Sequence, residues 1–115
     1  MTTIDSLTIS ASDILVVDDT TDSLRLLSNI ITGVGYRVSP ADRPYLALQS
    51  ALVHPPDLIL LDVRMPEMDG FTACAALRKL PGGDFLPVLM MTGLEDVESI
   101  NRAYEAGATD FVAKP

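Results

Sequence analysis

The sequence predicts a doubly wound α/β fold, a parallel sheet with helices on both faces, and three observations carry that expectation. Four apolar runs lack any in/out alternation: Ile14-Leu15-Val16-Val17, Leu58-Ile59-Leu60-Leu61, Val88-Leu89-Met90-Met91 and Phe111-Val112-Ala113. Runs of this kind are buried on both faces, as parallel strands under helices are. Each run leads directly into polar residues, namely Asp18-Asp19, Asp62, Thr92 and Lys114. Helical spacing fills the intervals, so strand and helix alternate along one short chain.

Residues Met1 to Ser12 are rich in Ser and Thr and are expected to form a flexible lead-in, with the folded domain over 13–115. The first strand runs into a helix opening at Thr20-Thr21-Asp22, where hydroxyl and carboxylate groups can cap free amides. Leu24, Leu27, Ile31 and Val34 give that helix a core face, and Gly33 and Gly35 end it. Tyr36-Arg37-Val38-Ser39 reads as a short strand closed by Pro40, and a second helix from near Arg43 to Val53 stops at His54-Pro55-Pro56.

After the third strand, Met65-Pro66-Glu67-Met68-Asp69-Gly70 is turn chemistry opening a helix that lasts until Leu80-Pro81-Gly82-Gly83. Beyond the fourth strand and Gly93, a helix carries Glu95, Asp96 and Glu98 in its first turns, favourable against the helix dipole. Val97, Ile100 and Tyr104 form its expected apolar stripe, and Ala106-Gly107-Ala108 ends it before the last strand. The rhythm then calls for one more helix. The domain is expected to be truncated before that helix, or its sheet to borrow cover from another chain. The uncovered apolar strip favours association, a homodimer included.

Composition narrows the function. The 115 residues suffice for one domain with a single core, and 48% of them are hydrophobic. A formal net charge of −8 argues against nucleic acid or an anionic membrane as a direct ligand. The single cysteine, Cys74, allows no internal disulfide and reads as a small buried hydrophobe, which fits a reducing cytoplasm. No apolar stretch is long enough to span a bilayer, and the amino terminus lacks the pattern of a signal peptide.

In an open parallel sheet the carboxyl ends share one edge, and ligands bind in the crevice there. Asp18, Asp19, Asp62, Thr92 and Lys114 are therefore expected to converge on one acidic pocket. Clustered carboxylates are hard oxygen ligands, and a site that also holds a phosphoryl group suits Mg²⁺. A carboxylate beside that metal can attack phosphorus and become an aspartyl phosphate. Phosphoryl transfer asks mainly for positioning and charge neutralisation, which Lys114 and the Thr92 hydroxyl can help supply. His54 falls on the opposite sheet edge and reads as a surface loop residue. Met65, Met68, Met90 and Met91 read as core and loop packing.

These residues resemble the receiver domain of two-component response regulators over Asp13 to Pro115. The matching segments are Ile14-Leu15-Val16-Val17-Asp18-Asp19, Asp62-Val63-Arg64-Met65-Pro66-Glu67-Met68-Asp69-Gly70, Met91-Thr92-Gly93-Leu94 and Gly107-Ala108-Thr109-Asp110-Phe111-Val112-Ala113-Lys114-Pro115. The resemblance implies a flavodoxin-like fold of five parallel strands in the order 2-1-3-4-5. It implies Asp62 as phosphoacceptor, charged by a sensor histidine kinase or phosphotransfer protein. Asp18, Asp19, Asp62 and the backbone carbonyl of Arg64 would then surround Mg²⁺, with Asp18 acting largely through water. Lys114 and Thr92 would contact the phosphoryl group, and Phe111 would rotate inward as a switch. Arg64 and Leu94 would tune hydrolysis, and the output would lie in a further domain. The run Thr92 to Ile100 looks like receivers that front diguanylate cyclases.

Other function classes make different demands. A HAD-like aspartyl-phosphate phosphatase also places a nucleophilic Asp after an apolar strand, but wants a second carboxylate two residues on, where this chain has Arg64. A nucleotide-binding module wants a Gly-rich turn after the first strand, where Asp18-Asp19-Thr20-Thr21 stands instead. A pseudo-receiver, folded but unphosphorylated, is disfavoured because every expected polar position is filled.

Overall fold

A computed structural model describes residues 12–92 and 97–114. The expected lead-in lies almost wholly outside the described residues, as do Leu94 and Pro115. The elements are β1 (Asp13–Val17), α1 (Thr21–Gly33), β2 (Arg37–Ala41), α2 (Pro44–Val53), β3 (Leu58–Asp62) and α3 (Gly70–Arg78). A short 3₁₀ turn (Gly83–Phe85) precedes β4 (Val88–Thr92), α4 (Val97–Glu105) and β5 (Asp110–Ala113). The five strands form one sheet in the order β2-β1-β3-β4-β5, all neighbours parallel, as the sequence implies.

Because strand side chains alternate between faces, the apolar runs of β1, β3 and β4 split into two cores, whereas β5 departs from the expected burial on both faces: Phe111 is half-buried and Val112 is 40% exposed on this edge strand. Leu15, Val17, Ile59, Leu61, Val88 and Met90 point to one face, where Ala47 and Ala51 of α2, Cys74 and Leu77 of α3 and Ala103 of α4 cover them. Ile14, Val16 and Met91 point to the other, where Leu27 of α1 is buried and Leu24, Ile31, Leu58 and Leu60 are half-buried. Cys74 is fully buried, and burial pushes its thiol pKa up, as an inert core cysteine requires. Met65, Met90 and Met91 are buried, and His54 is exposed beyond α2.

Three local expectations need correction. Val34 is 70% exposed, because the helix ends at Gly33 and Val34 has left the helical phase. Gly35 follows at φ +105°, a conformation open to glycine, and its amide closes the turn on the Thr32 carbonyl at 3.0 Å. Pro40 does not close β2 but lies within it, tolerated because β2 is an edge strand. In α4, Ala103 is buried where Tyr104 was expected, and Tyr104 is 48% exposed. A small side chain lets the helix approach the sheet, while the Tyr104 hydroxyl reaches the rim and donates to Asp110 at 3.1 Å. The side chain of Val97 lies outside the described residues.

The amino-terminal edge of the sheet is held by one arginine. Arg78, at the end of α3, donates from Nε to the Gly107 carbonyl at 2.8 Å and from Nη1 to the carbonyls of Gly83, at 2.8 Å, and Leu86. Its Nη2 reaches Thr109 Oγ1 at 3.3 Å, and that oxygen also accepts the Val88 amide at 3.0 Å. One guanidinium thus ties α3, the start of β4 and the α4–β5 turn together, using donors fixed in a planar fork. Arg78→Ala strands several part-buried carbonyls, so we expect a loss of about 2–3 kcal/mol in stability, read by urea denaturation.

Candidate functional site

The parallel register brings β1, β3, β4 and β5 to the same edge at their carboxyl ends. There β1 runs into Asp18, which is fully buried. Its amide donates to the Ala41 carbonyl at 3.1 Å, which fixes the strand end. Its Oδ1 accepts the Thr20 amide at 3.0 Å, and the Ser23 hydroxyl also donates to this carboxylate. Asp18 rather than Thr20 therefore satisfies the start of α1, since Thr20 makes no side-chain cap. The expected capping chemistry is present, but supplied from the strand end. Asp19, next along, is exposed.

Asp62 ends β3 and is 4% exposed. Its Oδ1 accepts the Arg64 amide at 3.4 Å, and its Oδ2 lies 3.4 Å from Lys114 Nζ. The same ammonium lies 3.0 Å from Asp18 Oδ2. Thr92, buried at the end of β4, is tied to that lysine through the backbone, its carbonyl accepting the Lys114 amide at 3.1 Å. Asp18, Asp19 and Asp62 each offer a carboxylate oxygen within 4.8 Å of the others. Asp18, Asp19, Asp62 and Lys114 thus meet in space, and Thr92 joins them through its backbone.

Its electrostatics divide the carboxylates. Burial raises the Asp62 pKa and the charge of Asp18 raises it further, against the pull of Lys114, so the net shift is upward. Burial acts on Asp18 too, but hydrogen bonds from Ser23 and Thr20 and the nearby ammonium outweigh it, so its pKa falls. For Lys114 the burial cost is overcome by the two carboxylates, and its pKa rises. Asp18 Oδ2 remains the informative atom: it is buried, faces an ammonium, and has no aligned hydrogen bond. A buried carboxylate oxygen left in this state, beside two further carboxylates, fits a hard divalent cation such as Mg²⁺.

Other expected residues stand around this centre. Arg64 is brought in through its amide, while its side chain is exposed along a cleft of about 480 Å³ that Asp19, Met65, Phe71 and Arg102 also line. Phe111 is half-buried against the larger core, its ring meeting Tyr104 edge-on at 5.9 Å. Leu94 lies outside the described residues. Gly70 has a packing reason: a Cβ there would sit 2.3 Å from the Asp62 carbonyl oxygen, so the corner after β3 can close on the Asp62 backbone. Ser23 and Arg102 were missed from the sequence. Ser23 lies where an N-cap contact is ordinary, whereas nothing in the local pattern aims Arg102 at this cleft.

Comparison with known proteins agrees with this geometry. The family model described as the response regulator receiver domain matches residues 14–115. The response regulator PleD of Caulobacter vibrioides is 44% identical over 102 residues, covering 89% of this chain but 22% of PleD. The chain thus spans about a fifth of that relative's length. Among solved structures, the chemotaxis protein CheY4 of Vibrio cholerae superposes with a TM-score of 0.88 at 32% identity, covering 91% of this chain and 88% of that one. The receiver domain of the sensor histidine kinase PA1611 of Pseudomonas aeruginosa, solved with a magnesium ion coordinated in its active-site cleft, has a TM-score of 0.84 at 28% identity, covering 91% and 86%. With its sheet order, its acidic edge and its lysine in place, the chain belongs to the receiver-domain family of two-component response regulators.

Proposed function

We propose that residues 13–115 act as a phosphoryl-accepting switch whose acceptor is Asp62. The observation that carries this reading is Lys114 Nζ, set 3.0 Å from Asp18 and 3.4 Å from Asp62 at the carboxyl edge of the sheet. An Asp62 oxygen attacks the phosphorus of a donor phosphohistidine. The new P–O bond forms as the P–N bond breaks, and the imidazole nitrogen keeps the electron pair and takes a proton from solvent. Lys114 is already beside Asp62 and follows the added charge onto the phosphoryl group. The Thr92 hydroxyl donates to a phosphoryl oxygen, and Phe111 turns inward, away from Tyr104.

Asp18, Asp19, Asp62 and the Arg64 carbonyl are the groups we assign to Mg²⁺, which when bound neutralises phosphoryl charge. The magnesium-bound cleft of the related PA1611 receiver supports that assignment. Arg64 and Leu94 are assigned to control of hydrolysis. The donor is a sensor histidine kinase or phosphotransfer protein, the protein is cytoplasmic, and the switch shifts the population of active conformers read by an output domain. A diguanylate-cyclase output is the class we favour, from the run Thr92 to Ile100. Among the described residues, no helix is long and apolar enough to cross a membrane.

Incubation with Mg²⁺ and a small phosphodonor, followed by intact mass measurement, tests the assignment. We expect a phosphate adduct on the parent and none on Asp62→Asn; an adduct that persists in the variant defeats it. Arg64→Ala is expected to leave phosphorylation intact and change the lifetime of the adduct severalfold, measured by its decay after donor removal.

Stability should follow the same charges. The folded-state pKa of Asp62 is raised, so its ionisation opposes folding, and stability from this group falls as pH rises through that pKa. In metal-free buffer at neutral pH, Asp62→Asn should therefore melt above the parent, with the difference shrinking as pH is lowered into the carboxylate range. Asp18 acts oppositely, because its lowered pKa contributes stability above its unfolded value that is lost in acid. Added Mg²⁺ should raise the melting temperature of the parent more than that of Asp62→Asn.

A further inference from the structure

Arg102, in the last turn of α4, reaches the corner that follows the acceptor strand. Its guanidinium carbon lies 4.3 Å from the centroid of the Phe71 ring, and Nη2 is 3.9 Å from Asp69 Oδ2. Phe71 is buried, and the other Asp69 oxygen caps α3 by accepting the Thr72 amide at 2.8 Å. Between them, Gly70 donates to the Val63 carbonyl at 2.8 Å and leaves no room for a Cβ against Asp62. The surface that Arg102 grips is thus continuous with the backbone of the acceptor itself.

The same turn of α4 has a second hold. Tyr104 donates to Asp110 at 3.1 Å, and its ring meets Phe111 edge-on at 5.9 Å. Ala103, between these two exposed side chains, is the residue of this turn buried in the core. Arg102 and Tyr104 thus hold the same turn of α4 from two sides, Arg102 on the Asp69–Phe71 corner and Tyr104 on β5.

We propose that Arg102 is a positioning residue for phosphoryl transfer, a clamp between α4 and the Asp69–Phe71 corner that holds α4 in its unphosphorylated place. This rests on the receiver reading given above. A contact made in the resting conformer and released in the other weights the equilibrium toward rest, and its removal shifts the population the other way. By linkage the same factor enters the affinity for a phosphoryl mimic.

Parent, Arg102→Ala and Arg102→Lys are compared for phosphorylation rate with a small phosphodonor and Mg²⁺, and for beryllofluoride affinity. A partly exposed cation–π contact of this kind predicts that Arg102→Ala is phosphorylated about two- to fivefold faster and binds beryllofluoride tighter by the same factor. Its melting temperature should fall by no more than a few degrees, the loss expected of one contact made by a side chain that is 53% exposed. Arg102→Lys should fall between, keeping the charge but lacking the planar face. Hydrogen exchange in α4 should rise in the parent on adding beryllofluoride and start higher in Arg102→Ala. Equal rates and affinities in the parent and Arg102→Ala, or a slower variant, overturn the clamp and leave the receiver reading intact. A parent that takes up no phosphoryl group brings down both.

Discussion

Two carboxylates are buried at the end of this sheet, and one ammonium lies between them. For unit charges about 4 Å apart near a protein surface, attraction is about 4 kcal/mol, and the cost of taking each ion out of water is of similar size. The Asp18–Lys114–Asp62 group is therefore close to balance rather than strongly stabilising. The opposed pKa shifts of Asp18 and Asp62 are its signature, one carboxylate well served by donors and the other under-compensated. A site near balance responds strongly to added charge, whether a divalent cation or a phosphoryl group. A neutral or fully paired core would not.

The fold exists to hold that balance in place. The inner strands β1, β3 and β4 are largely buried, so their ends cannot fray without exposing apolar surface, and Asp18, Asp62 and Thr92 stand at those ends. The corner after β3 adds precision, because Gly70 packs directly on the Asp62 backbone and Asp69 caps the helix that follows. At the opposite edge Arg78 ties α3, β4 and the α4–β5 turn together. Rigidity there and responsiveness at the site are complementary. A population shift needs a stiff body against which a small element can move.

α4 is suited to be that element. It contributes one small buried side chain in its last turn, and Arg102 and Tyr104 attach it to two different parts of the body, the Asp69–Phe71 corner and β5. Both attachments are polar or aromatic and lie at the surface, where contacts are individually weak and readily exchanged.

The parallel sheet and the meeting of Asp18, Asp62 and Lys114 at its carboxyl edge were legible in the residues themselves, and the strand order in their resemblance to a known family. Unbroken apolar runs are the mark of parallel strands under helices, and parallel strands align their carboxyl ends; only β5, at the sheet edge, escapes the burial its run suggests. Local signals misled where another constraint prevailed. Pro40 stays within β2 because an edge strand has an unpaired side, and Val34 fell out of phase when α1 ended at Gly33. Ala103 replaced Tyr104 in the core because a small residue brings the helix closer to the sheet. Tertiary structure alone decided which carboxylate is under-compensated, that Ser23 serves Asp18, and that Arg78 and Arg102 tie their loops. Those properties depend on distances between side chains far apart in the chain, and no periodicity or spacing encodes such distances.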